Sequence, residues 1–103
     1  MSHVVEIATQ VRSAAAASAA CRRLGLAAPA EAKVKLFIQS VSGLAVQLDG
    51  WRYPVVFDLP SGKTQHDNYG ERWGKQQRLD EFLQAYAVEA ATIEARRGGH
   101  RVT

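Results

Sequence analysis

Apolar and polar positions alternate along much of this chain, with the period of two that β-strands show. Val5, Ile7 and Val11 predict the first strand. Four later segments show the same alternation or the turn residues that bound a strand. They are built around Val34, Leu36 and Ile38; Leu44, Val46 and Leu48; Val55, Phe57 and Leu59; and the polar run Lys63 to Asp67. We expect the polar run at a sheet edge or facing solvent.

Loops and turns are predicted where the alternation stops. Residues 27–32 predict a loop ahead of the second strand, and Val41-Ser42-Gly43 predicts a turn before the third. Asp49-Gly50 and Pro60-Ser61-Gly62 end in glycine, as tight turns between strands require. The second to fifth strands are too close together for crossover helices, so we expect them to pair antiparallel.

Two helices are predicted from their caps and from apolar spacing. Ser13 has an N-capping side chain and Gly25 suits a helix end, so the alanine-rich run Ala14 to Leu24 predicts the first helix. Residues Gln76 to Arg97 predict a longer second helix with one apolar stripe. The expected inward residues are Ala17, Ala20, Cys21 and Leu24 in the first helix, and Leu79, Phe82, Leu83, Tyr86, Ala90 and Ile93 in the second.

The order of these elements predicts the fold class. One strand, one helix, four strands and one helix follow each other, and residues 100–103 predict a further strand. Such an order favours an α+β two-layer sandwich, with a mainly antiparallel sheet, two helices on one face and a ferredoxin-like character. At 103 residues, we expect positions 1–103 to form a single domain.

Composition narrows the classes of function. The 13 basic and 10 acidic residues give a net charge of +3, which does not favour a dedicated nucleic-acid binder. The single cysteine, Cys21, cannot form a disulfide within the chain, so a reducing compartment is expected. Neither a signal peptide nor a membrane-spanning segment is recognisable, and we expect a cytoplasmic protein without a cofactor.

Five segments carry a resemblance to a known family. They read M-S-H-V, V-V-F-D-L-P-S-G, D-N-Y-G-E-R-W-G, L-D-E-F-L-Q-A-Y-A-V-E and I-E-A-R-R-G-G-H in this order. The set resembles the ycf thirty-five-like plastid and cyanobacterial family of unknown function, also called domain of unknown function twelve fifty-seven. This resemblance implies no activity, but it implies an AAA-type ATPase as a candidate partner. The resemblance also implies a further strand after Thr103. If this chain is a truncated family member, the sheet would lack that strand and expose an edge.

One loop is the first candidate for a binding site. It follows the polar strand and precedes the long helix, a position where loops often carry function. Its candidate residues are His66, Asp67, Asn68, Tyr69, Arg72 and Trp73. Aromatic side chains beside an arginine are enriched in protein interfaces. An alternative interpretation is that Tyr69 and Trp73 cover the end of the core.

The second candidate is a row on the long helix that contains Gln84, Glu89 and Arg96, together with Tyr86. We expect Tyr86 to face the sheet, where its hydroxyl needs a hydrogen-bond partner. Glu89 is expected to pair with a sheet residue or with Arg96.

Other chemistry-bearing residues favour structural roles. The three histidines lack the close spacing of metal ligands, so no metal site is predicted. Cys21 is expected to pack as a small apolar residue. Gly62-Lys63-Thr64 resembles the end of a phosphate-binding loop, but a hairpin turn explains it better.

Three functions compete. A protein-binding or adaptor module is favoured because no catalytic constellation is recognisable, which also favours a non-enzymatic role. Its partner would be a protein such as an AAA-type ATPase, or a second copy bound through a sheet edge. The alternative is a small ligand-binding protein or enzyme with a pocket between sheet and helices, using His66 with Asp67 or Glu89. Nucleic-acid binding through Lys33, Lys35 and the C-terminal arginines is the least favoured.

Overall fold

A computed structural model describes residues 5–36, 40–67 and 74–97. Its elements are β1 (Val5–Ala8), α1 (Ala14–Leu24), β2 (Ala30–Lys35), β3 (Ser40–Val46), β4 (Val55–Asp58), β5 (Lys63–His66) and α2 (Gln76–Arg97). Within these ranges the strands form one antiparallel sheet in the order β1-β5-β4-β3-β2. The predicted α+β arrangement of an antiparallel sheet with two helices is confirmed.

Both helices have the bounds that the sequence predicts. The Ser13 side chain accepts a hydrogen bond from the Ala16 N–H, which satisfies one of the free donors at the start of α1. Gly25 ends α1 with φ 72°, a left-handed conformation that glycine adopts without a steric penalty. None of the described helices combines the length and the apolarity that crossing a bilayer requires.

The main core lies between the sheet and the helices. The ring of Phe57 on β4 stacks on Phe82 of α2, with centroids 5.3 Å apart. The other buried members are Val11, Ala16, Ala17, Ala20, Cys21, Leu44, Val46, Leu48, Trp51, Val55, Leu79, Ala85 and Tyr86. A smaller cluster contains Leu36, Val41 and Val56, and since side chains alternate along β4, Val56 lies on the opposite face from Phe57.

The predicted edge position of the polar strand is wrong. β5 lies inside the sheet, because β1 returns from the start of the chain to pair with it on the side opposite β4. Thr64 and His66 are consequently buried, and the hydroxyls of Thr64 and Thr9 hydrogen-bond to each other. The alternate residues of β5 face the other side of the sheet, where Lys63 pairs with Glu6 at 3.4 Å. The polar composition of β5 therefore does not show that this strand lies at the edge of the sheet.

Two other boundaries differ from the sequence prediction. The expected loop 27–32 ends early because β2 begins at Ala30, and the expected turn at residues 41–43 lies within β3. Gly43 has φ 156°, and a Cβ there would lie 2.6 Å from the Phe57 carbonyl oxygen. The glycine therefore marks a close approach of two strands rather than a turn.

The first strand is also shorter than predicted. It ends at Ala8 because Gln10 has φ 61° and donates its N–H to the Gly62 carbonyl at 2.7 Å. Val11 consequently enters the core instead of continuing the strand. The predicted strand at residues 100–103 and the position of Ile38 lie outside the described residues.

The predicted glycine turns are confirmed. Gly50 and Gly62 have φ values of 76° and 73°, in the region that favours glycine. The Gly62 N–H donates to the Asp58 carbonyl at 2.9 Å and closes the turn between β4 and β5. Gly62-Lys63-Thr64 is thus a turn leading into a strand, not the strand-to-helix turn of a phosphate-binding loop.

Tyr86 connects the two helices. It is buried, and its hydroxyl oxygen accepts hydrogen bonds from the backbone N–H groups of Arg12 and Ser13, both at 3.0 Å. The expectation that Tyr86 faces inward and finds a partner is confirmed. These two donors lie at the start of α1, so one side chain of α2 fixes where α1 begins.

Replacing Tyr86 by Phe should lower the free energy of unfolding by about 1–3 kcal/mol, because two backbone donors would lose their acceptor. Chemical denaturation measures this difference. Thr92→Val is the matched control, since it removes a hydroxyl that donates only to the Val88 carbonyl within the same helix. The control should change stability by less than about 0.5 kcal/mol. Equal losses in both variants would contradict the role given to Tyr86.

Candidate functional site

The side chain of Trp51 organises the end of the domain where the candidate loop begins. It is buried, and its indole Nε1 donates to the Lys75 carbonyl at 3.0 Å, just ahead of α2. Gly74 lies against the ring, so closely that a Cβ at this position would be 2.4 Å from an indole carbon. The Trp51 carbonyl accepts from the Gln47 side chain at 2.6 Å. Trp51 thus connects the segment between β3 and β4 with the start of α2.

His66 packs against the same indole. The two rings meet edge to face, with centroids 5.5 Å apart and an interplanar angle of 75°. Only 4% of His66 is exposed, and its Nδ1 has no hydrogen-bond partner within the described part of the chain. Burial lowers the pKa of His66, and the charge of Asp67 opposes this shift without reversing it. Burial therefore favours the neutral form of the imidazole.

The candidate loop is only partly described, and its described residues are not on the surface. His66 ends β5, and Asp67, which follows it, is 1% exposed. Both side chains are buried, and the interpretation of this loop as a binding site stays a prediction. The remaining candidates, Asn68, Tyr69, Arg72 and Trp73, lie outside the described residues.

The second candidate row has a different partner from the expected ones. Glu89 pairs with Arg23 of α1, with Nε and Oε1 3.2 Å apart, and not with a sheet residue or Arg96. The reason is that α1 packs directly beside α2 and brings its last turn to Glu89. Arg96 is exposed and forms no ion pair with the described residues. Glu89 and Arg96 therefore do not form a common site.

Cys21 has a structural role. It is fully buried within the core, and burial raises the pKa of its thiol. A protonated, enclosed thiol is a poor nucleophile and packs as an apolar group. Among the described residues, no three His, Cys, Asp or Glu side chains converge where they could hold a metal ion.

A groove between α1 and α2 is the main surface feature that the sequence did not reveal. Leu24 and Val88 are the exposed large apolar side chains in the described ranges, at 37% and 46%, and both line this groove. Its volume is about 310 Å³. The other lining residues are Arg23, Glu81, Gln84 and Ala85. We call this surface the helix groove.

The prediction that Leu24 faces the core is wrong. Leu24 is the last residue of α1, one residue before the left-handed Gly25, and 37% of it is exposed. The exposure of Val88 could have been predicted from the sequence, because this apolar residue lies outside the predicted apolar stripe of α2. A single such residue needs no explanation, and Val88 becomes a candidate contact residue only because Leu24 lines the same groove.

A second cleft adjoins the helix groove. It has a volume of about 390 Å³ and shares Leu24 and Glu81 with the groove. Its other lining residues are Gly25, Leu26, Leu48, Asp49 and Arg78. Arg78 pairs with Glu81 at 3.3 Å and with Asp49 at 3.8 Å. Charged and apolar side chains therefore line the same opening.

No protein family, curated protein or solved structure matches this chain. The resemblance to the ycf thirty-five-like family therefore rests on the quoted segments alone and stays a prediction.

Replacing Gly74 by Ala should destabilise the domain by about 1–3 kcal/mol, because the new methyl group would displace the Trp51 indole from its bond to Lys75. Thermal or chemical unfolding measures the loss. The same substitution in a Trp51→Phe background should cost less, since the smaller ring leaves room for the methyl group. Strictly additive losses would show that Gly74 and Trp51 do not interact.

Lowering the pH should destabilise the domain through His66. Since its pKa is lowered by folding, the unfolded chain binds a proton first, below the ordinary value of 6.5. Stability should therefore fall as pH drops below this value, by up to about 1.4 kcal/mol per pH unit, and level off below the folded pKa. Urea denaturation between about pH 7.5 and pH 5.5 measures the slope, ahead of most carboxylate titration.

The matched variant for this experiment is His66→Gln, which keeps a polar side chain but does not titrate. Its stability should be lower at neutral pH, and its dependence on pH should be flatter than that of the wild type. If both proteins show the same slope, another group is responsible and the burial argument for His66 fails.

Proposed function

We propose that this domain is a protein-binding or adaptor module and that the helix groove is its contact surface. The observation that carries the proposal is that Leu24 and Val88, the exposed large apolar side chains among the described residues, line one groove. Scattered apolar residues on a surface need no explanation, but two that meet in a concave site favour a partner.

The rim of the helix groove supports this proposal. Arg23 is paired with Glu89, and Glu81 is paired with Arg78, so charged groups on both helices border the apolar floor. An apolar centre with a polar rim is the usual composition of a protein interface. Ala85 lies between these groups and leaves room for a side chain of the partner.

The chemistry of the groove suggests the partner's contact element. A surface between two packed helices with a few apolar positions suits the apolar face of an amphipathic helix. The family resemblance adds an AAA-type ATPase as the first protein to assay. This choice rests on the resemblance and not on the groove.

Replacing Val88 by Asp should weaken binding of such a partner about tenfold or more, because a charge would replace an apolar contact at the centre of the interface. The tagged domain is used to capture proteins from its host, and affinity for each captured protein and for a purified host AAA-type ATPase is then measured by calorimetry. Leu24→Asp should have the same effect.

Ala87→Asp is the matched control. It adds the same charge to the same helix at an exposed position that does not line the groove. All three substitutions are at exposed positions, and circular dichroism should show folded proteins. A partner that binds all four proteins equally would contradict the groove as the contact surface.

The alternative is a small ligand-binding protein, and the adjoining cleft is the observation that favours it. Arg78, Asp49 and Glu81 provide charged groups beside the apolar Leu48 and Leu26, a combination that small-molecule sites use. The volume between the sheet and the helices, by contrast, is occupied by core side chains. A ligand site would therefore use this cleft rather than His66 and Glu89, which share no contact among those described.

A further inference from the structure

Among the described residues, the outer edge of β2 has no strand paired to it. β2 is the last strand of the sheet, and on its far side no strand follows among the described residues. Ala30, Glu31, Ala32 and Lys33 are all exposed, and Val34 is half-buried. Backbone groups on such an edge can pair with a further strand. The question is which strand would fit.

Charge is arranged along β2 in a way that fits a second copy of β2. Glu31 and Lys33 are opposite Leu44 and Ser42 of β3, so they share the face of the sheet that carries the helices. Neither forms an ion pair with any described residue. Opposite charges two positions apart are self-complementary when two identical strands run antiparallel.

Strand geometry limits the possible registers. Residues directly opposite each other in an antiparallel pair must point to the same face and have the same hydrogen-bonding direction. When two copies of one strand pair antiparallel, an even-numbered residue must therefore lie opposite an even-numbered one, and an odd-numbered residue opposite an odd-numbered one. In every such register one residue lies opposite its own copy, and we name the register after that residue. The registers centred on Ala32 and on Lys33 each pair five residues of Ala30–Lys35.

The two registers differ in their charge contacts. Centring on Lys33 places this residue against its own copy, and like charges directly opposite each other are destabilising. Centring on Ala32 instead places each Glu31 opposite Lys33 of the second copy, which gives two ion pairs. On the other face, Ala32 then meets Ala32, and Ala30 meets Val34. These are small apolar contacts beside the cluster that Val34 packs against.

We infer that this chain self-associates through β2, antiparallel and in the register centred on Ala32. Pro29 lacks a backbone N–H and precedes the strand, so it limits the pairing at that end. The sheet continues across the two copies, and the two-fold axis stands perpendicular to it. Five residue pairs cover less surface than a standard interface, so the dimer is weak and exchanges rapidly.

Charge reversal tests the contact between Glu31 and Lys33. Glu31→Lys and Lys33→Glu each create two like-charged pairs and should raise the dissociation constant of the dimer about 30-fold. Sedimentation velocity of the purified chain, up to about 1 mM protein, measures this constant in the range expected for weak interfaces. Mixing the two variants restores both ion pairs, so the mixture should dimerise although neither variant does so alone.

The double variant that combines Glu31→Lys with Lys33→Glu provides a second restoration. It should dimerise like the wild type, because opposite charges at positions 31 and 33 would again face each other across the two copies. Both positions are exposed and form no ion pair among the described residues, so all variants should remain folded by circular dichroism.

Disulfide cross-linking tests the register. In the inferred dimer the two Ala32 Cα atoms lie about 4.5–5.5 Å apart, a separation that a disulfide spans. Ala32→Cys should therefore form a cross-linked dimer under mild oxidation. Ala30→Cys is the matched control, since its two copies lie roughly 13 Å apart along the strand and should not cross-link. Cys21 is buried and should not contribute.

Three results would overturn the inference. A wild-type chain that stays monomeric over the whole concentration range would leave the edge to a strand from a different protein. A dimer whose dissociation constant is unchanged by both charge reversals would form through another surface. Equal cross-linking at positions 30 and 32 would exclude the register centred on Ala32. None of these results depends on the helix groove, so the proposed partner binding is tested separately.

Discussion

The contact of the Trp51 indole with the backbone around Gly74 is the constraint on which the position of α2, and with it the helix groove, depends. The bond from the indole to the Lys75 carbonyl fixes the point where α2 starts, and Gly74 allows the backbone to reach the ring. Since α2 is a rigid element of 22 residues, its starting point and packing determine where its later turns lie. The same ring packs edge to face on His66 and contributes to the burial that lowers the pKa of this imidazole.

The helix groove follows from the sizes of the residues between the helices and the sheet. The inward face of α1 is made of alanines and Cys21, which allow the helix to approach its neighbours closely. Near its start, α1 is held by the Tyr86 hydroxyl, and near its end by the pairing of Arg23 with Glu89. Leu24, the last residue of α1, lies next to this pairing and is 37% exposed. It contributes its apolar side chain to the helix groove.

The sequence predicted what local patterns determine and missed what distant segments determine. The bounds of α2 followed from its apolar stripe, and the turns at Gly50 and Gly62 followed from residue type. The place of β5 did not, because it depends on pairing with β1, a strand from the start of the chain. His66 lies on β5 opposite Val5 of β1 and is buried, whereas the sequence analysis places it in a candidate binding loop. The sequence indicated the exposure of Val88 only in that this residue lies outside the apolar stripe of α2. No sequence pattern indicated the exposure of Leu24.

The two proposed surfaces are related by the geometry of the sheet. In an antiparallel pairing of β2 with its copy, opposite residues share a face, so the helices of both copies lie on the same side. The two helix grooves would then open on one side of a ten-stranded sheet, built from the five strands of each copy. A partner with two contact elements would bind both at once, and its second contact would benefit from the high local concentration that the first creates. A partner that bridges the two grooves would also stabilise the dimer that Glu31 and Lys33 favour, because it binds the dimer more tightly than the monomer. Weak strand pairing and weak groove binding would then strengthen each other.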